Sequence, residues 1–201
     1  MWNLMRRYAW ADDPALDLTW CVSVVQGMSV ASVVEAFGGA RGTARKATFR
    51  EAEAEAGEHF GEFTNLVVIP HDQHIVTIDS YGYGGIVPET ARRASKVGGR
   101  YFSFHHDMSG NARILEAEYG KVTAYFEPLF AADRDRDSPF LPAWVDDLEF
   151  PADRIHAACL ALMEHRTGVA FDRTWLVEKQ VAYRIPDPDV LFKDIRNARI
   201  P

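Results

Sequence analysis

Residues 64–82, TNLVVIPHDQHIVTIDSYG, hold two β-branched runs joined by the polar segment His71, Asp72 and Gln73. Side chains of this kind suit a pleated sheet, and so short a joint returns the second run antiparallel to the first. An antiparallel hairpin is therefore the frame that the rest of the chain must fit. Further strand-like runs accompany it. LTWCVSVVQG at 18–27 reads as a buried strand, and RYFSFHHDM, ARILEAEYG and KVTAYFEPL read as an antiparallel meander broken at SGN and Gly120.

Helical segments alternate with these runs. Ser29 is placed to cap a helix whose apolar stripe is Val30, Val33, Val34 and Phe37, with Gly38 at its end. Thr48 and Glu51 have capping-box spacing ahead of a helix with Phe49, Ala52, Ala56 and Phe60 inside and an acidic outer face. Pro88 opens a third helix that stops at Gly98 and Gly99. ADRIHAACLALMEHRTG forms the longest helix, with Ile155, Cys159 and Leu162 on one face and polar residues on the other, ending at Gly168. Strand, glycine, helix and Gly-Gly recur at 18–39 and 74–99, which places two helices on one sheet. The expected architecture is α+β, an antiparallel sheet of about six strands with helices packed mainly on one face.

A chain of 201 residues with 47% hydrophobic and 25% charged side chains has ordinary globular composition. We expect one domain over 1–180, with 181–201 as a C-terminal tail or docking arm because three spaced prolines break that stretch. AADRDRDSPFLPAW at 131–144 reads as a charged, proline-broken loop. Cys21 and Cys159 stand where small buried apolar residues stand, and two cysteines are too few for a disulfide framework. The opening MWNLMRRYAWADDP lacks the apolar core of a secretion signal, and no apolar run is long enough to span a bilayer, so a cytoplasmic protein is expected. The formal net charge of −7 repels phosphate backbones and favours basic partners, which argues against nucleic acid.

Candidate chemistry gathers in a few places. In FHHD, strand alternation sends Phe104 and His106 to one face and His105 and Asp107 to the other. A metal site there would rest on His105 and Asp107 with further ligands from elsewhere, since zinc asks for three or four convergent groups. The residues His71 and His74 could chelate but lie at a hairpin tip, and no cofactor is expected. For acid-base chemistry the carboxylates are Asp79, Glu116, Glu118 and Glu127, with Glu116 and Glu118 about 7 Å apart on one strand face. No nucleophile elbow or P-loop is present. Tyr83, Gly84 and Gly85, in the glycine-rich YGYGGIVPE ahead of a helix, are the expected ligand loop.

YAW near the start, VVQGMSVASVVEAFGG, VTIDSYGY, ARRASKVGGRYFSFHHDMSGNARILEAEYGKVTAYFEP and LMEHRTGVAFDRTWL, in that order, resemble a family of uncharacterised bacterial proteins known only as a domain of unknown function, over roughly residues 8 to 176. The resemblance implies domain boundaries and strand-helix order, and no mechanism.

These features favour a non-enzymatic protein-binding module, such as an immunity-type inhibitor that covers a basic toxin or enzyme. Its expected contact residues are Trp10, Asp12 and Asp13 of the N-terminal segment and Glu51, Glu55 and Glu58 of the acidic helix. The alternatives are a metal- or carboxylate-dependent hydrolase and a small-ligand sensor with the glycine loop at its mouth.

Overall fold

The computed structural model describes residues 1–16, 19–96, 98–107, 109–133 and 140–201. Within these residues eight strands form a single sheet: β1 (Trp20–Gln26), β2 (Arg45–Ala47), β3 (Phe63–His71), β4 (His74–Ser80), β5 (Arg100–His106), β6 (Ala112–Glu118), β7 (Lys121–Phe126) and β8 (Gln180–Pro186). Their order is β2-β8-β3-β4-β1-β5-β6-β7, and every ladder is antiparallel. The hairpin turns at Asp72, which takes a left-handed φ of 51°. Among the described residues six α-helices accompany the sheet: α1 (Trp2–Arg7), α2 (Val30–Ala36), α3 (Phe49–Glu58), α4 (Pro88–Ala94), α5 (Ile155–Thr167) and α6 (Pro188–Leu191).

Two features of the expected fold are corrected. The sheet has eight strands where about six were expected, because β2 is a three-residue charged run and β8 lies among the prolines that suggested a tail. β8 sits inside the sheet between β2 and β3, so a boundary at 180/181 cuts into a paired strand. The helices are also divided between both faces. Val22, Val24, Val67, Ile78, Phe102 and Phe104 meet α1, α3 and α5, whereas Val25, Leu66, Val68, Ile75, Tyr101 and Leu115 meet α2 and α4. Because the central strands are apolar on both sides, one layer of helices would leave half of that surface in water. The two strand-helix repeats account for the second face, since α2 and α4 lie there together.

Local chemistry explains the helix limits. Ser29 Oγ accepts the Ser32 amide at 3.2 Å, and Thr48 with Glu51 forms a full capping box. Helix α5 ends at Gly168, whose φ of 76° only glycine adopts without cost. The outer side of α5 is not a polar surface: Ala157 to Met163 are all buried, because α1 and the 3-10 turn Ala9–Asp12 cover it. Tyr8, fully buried, pins this cover, its hydroxyl bonding Glu164 and accepting the Phe171 amide at 3.1 Å. Trp20 closes the core beneath, edge-on to Phe49, Phe104 and Phe171 with centroids 5.4–6.5 Å apart. Of the 131–144 loop, residues 134–139 lie outside the described part, while Ala143–Asp147 forms a 3-10 turn.

Candidate functional site

Register places His106 across from Trp20 at one end of the sheet, on the face that α5 covers. There its ring meets that of His156, in the first turn of α5, at 4.3 Å between centroids. Both Nδ1 atoms are buried and have no hydrogen-bond partner among the described residues. Burial pushes both imidazoles down, His156 to about 4, so both are neutral at physiological pH.

A recess of about 380 Å³ surrounds the pair and is lined by Asp12, Asp13, Asp107 and Asp153. Helix α5 has no side-chain cap from its own flank. Asp12 supplies one from the N-terminal segment, accepting the His156 amide at 2.9 Å and the Ala157 amide at 3.1 Å. Burial raises its pKa while those two amides oppose the rise. Asp13 accepts the Ala15 amide at 3.0 Å. Asp107 accepts the Ser109 and Asn111 amides and the Asn111 side chain at 2.8–3.0 Å. Burial works against its charge, but these bonds prevail and hold its pKa below the usual range. Thus Asp12 and Asp13 of the expected contact set join Asp107 in one place. Trp10 does not: it packs on Phe171 at 6.1 Å, with the Arg173 guanidinium over its ring.

The other expected residues are distributed differently. His105 points to the opposite face from His106, and burial pushes its pKa down to about 4. Its Nε2 lies 3.9 Å from Asp107 Oδ2, and among the described residues no group of three or more His, Cys, Asp or Glu is placed to hold a metal ion. The acidic face of α3 is largely spoken for. Glu55 binds Arg45, Arg184 and Asn65, and although burial alone would raise its pKa, these partners bring it down to about 2. Glu51 completes the capping box and faces Lys179 at 3.4 Å, which leaves Glu58 exposed.

Glu116 and Glu118 lie at the far end of the α5-covered face, each beside an arginine. Arg166 donates to both oxygens of Glu116 at 2.6 and 3.1 Å, and Arg100 lies 3.1 Å from Glu118. Glu127, on the other side of the meander, accepts the Ala112 amide at 3.2 Å.

Asp79 and the glycine loop form a sealed polar cluster on the α2 and α4 face. Asp79 is fully buried, accepts Thr64 Oγ1 at 3.0 Å and the Gly84 amide at 3.2 Å, and burial raises its pKa to about 7. Gly82 must be glycine here, because a Cβ would stand 2.1 Å from both carboxylate oxygens. A Cβ on Gly85 would stand 2.6–2.9 Å from Ser23 Oγ, Cys21 Sγ and Ser103 Oγ, and the Gly85 carbonyl accepts the Tyr101 hydroxyl at 2.6 Å. The C-terminal segment covers the loop: Tyr83 donates to Asp189 at 2.6 Å, and Phe192 and Ala198 pack on Val87. Tyr83, Gly84 and Gly85 therefore plug a polar core and do not frame an open mouth.

His156, Asp153, Arg100 and Arg166 were not singled out from sequence. Their partners lie on strands remote in the chain, and a lone histidine or arginine in a helix carries no signal of what the sheet places beneath it. No curated protein and no solved structure matches this chain. A family model does, over residues 1–183, ending within β8. Its description is Family of unknown function (DUF6461), and the chain belongs to that family.

Proposed function

We propose that the protein is a non-enzymatic binding module that takes a basic partner protein at the recess of Asp12, Asp13, Asp107 and Asp153. An inhibitor of the immunity type, seated on a basic toxin or enzyme, is the form this reading favours. The observation that carries it is how the carboxylates are held. Backbone amides, which are neutral donors, fix Asp12, Asp13 and Asp107, so their negative charge is oriented without being cancelled. His106 and His156 line the same recess as neutral imidazoles and add no positive charge to repel such a partner. The net charge of −7 steers such a partner from a distance.

The reading is tested by calorimetric titration with a lysine-rich peptide and a glutamate-rich peptide of equal length. We expect binding of the first alone, weakened by salt and reduced about tenfold in the Asp13→Asn, Asp153→Asn double variant. Equal binding of both peptides, or an unchanged affinity in the double variant, overturns it.

A further inference from the structure

The opposite end of the same sheet face holds a second cavity, also of about 380 Å³, within the size range of small-ligand sites. Antiparallel register aligns His74, Gln26, Arg100 and Glu118 in one row across β4, β1, β5 and β6. Neighbouring strands are about 4.8 Å apart, so the row spans about 14 Å. One pleat inward, Val24 and Phe102 face each other as a buried apolar floor. Glu116 stands beside them, and the last turn of α5 brings Arg166 against it. Trp144 backs Arg166, with the guanidinium 4.6 Å from its ring, so this wall is fixed.

The lining carries two guanidiniums and two carboxylates, hence no net charge, and His74 adds none because burial and the neighbouring His71 lower its pKa. A phosphate or other simple anion would meet Glu116 and Glu118, and a bare cation would meet Arg100 and Arg166. A molecule bearing both charges a few bonds apart satisfies both sets. The rim pair is able to exchange partners, since Arg100 is 65% and Glu118 37% exposed and a pair so open to solvent is held weakly. An apolar floor beneath the charged rim leaves room for a hydrocarbon side chain.

We propose that this cavity binds a free α-amino acid, its carboxylate on Arg100, its ammonium on Glu118 and an apolar side chain over Val24 and Phe102. The site is independent of the acidic recess and of any partner bound there.

The test is calorimetric titration of the full chain with each of the free L-amino acids, followed by the N-acetyl and amide derivatives of the tightest one. We expect binding by amino acids with apolar side chains and a loss of at least tenfold when either terminal charge is blocked. Arg100→Gln and Glu118→Gln should each weaken binding about tenfold while circular dichroism and melting stay as in the parent. Asp13→Asn, at the other end, should leave binding unchanged. Three results would each overturn the proposal: no amino acid binds, the blocked derivatives bind as well as the free one, or both rim variants keep the parent affinity.

Discussion

At its first turn α5 stands over carboxylates that backbone amides hold, whereas at its last turn Arg166 closes on Glu116 and cancels it. Both arrangements agree with the helix dipole, which favours an anion at the N-terminus and a cation at the C-terminus. They differ in what is left over. An amide donor is neutral and does not cancel the charge of Asp12, but a guanidinium offsets the charge of Glu116. One face of one sheet thus carries an end where neutral amides hold Asp12, Asp13 and Asp107, with Asp153 3.6 Å from Arg154, and an end where each carboxylate has an arginine. Burial separates them: Glu116 is only 8% exposed, and a carboxylate so enclosed stays ionised only with a charged or strongly donating partner, whereas Asp79, buried with a hydroxyl and an amide alone, has its pKa raised to about 7.

The strongest way to break the contrast is to free the buried carboxylate. Arg166→Ala strands Glu116, and chemical denaturation should show a loss of about 3–5 kcal/mol, with much of it recovered when Glu116 is also changed to Leu. At the other end the histidines set an acid limit. Their folded pKa values lie below the ordinary 6.5, so the unfolded chain binds protons first as pH falls. The stability they contribute is complete above pH 6.5 and is lost as pH falls from there, for His156 through about 4. In His156→Gln, melting followed between pH 7 and 4 should lose on the order of 2–3 kcal/mol of this dependence. Asp12→Ala should cost about 1–2 kcal/mol by leaving two α5 amides without their acceptor, and Asp12→Asn should restore part of it. The smallest effect is expected at the rim of the second cavity, where Glu118→Gln should change the unfolding free energy from chemical denaturation by less than about 1 kcal/mol because its pair with Arg100 is solvent-exposed.

Local elements were legible because their signals are local. Thr48 and Glu51 announce a capping box three residues apart, and Gly168 marks the end of α5 at the residue where the chain turns left-handed. The strands missed were those with contradictory local chemistry. Arg45–Ala47 is too short and charged to read as β, and Gln180–Pro186 lies beside prolines, yet pairing with β3 gives it an interior place. The candidate residues divide the same way. Alternation correctly separated His105 from His106, but the partner of His106 is 50 residues away on α5. Tyr83 to Gly85 were visible as a glycine loop before a helix, while the side chains they seal, from Cys21 to Ser103, come together only across three strands.

By itself the sequence determined the pleat alternation, most helix limits and the excess of negative charge, since each depends on residues within a few positions of one another or on composition alone. Only the tertiary structure decided which charges are cancelled and which remain. An ion pair such as Arg166 with Glu116 is set by a helix end meeting a strand, and a carboxylate such as Asp12 by reaching the amides of a helix more than a hundred residues later. Distances of that kind are fixed by packing, because neither partner carries any mark of the other until the sheet and α5 have come together.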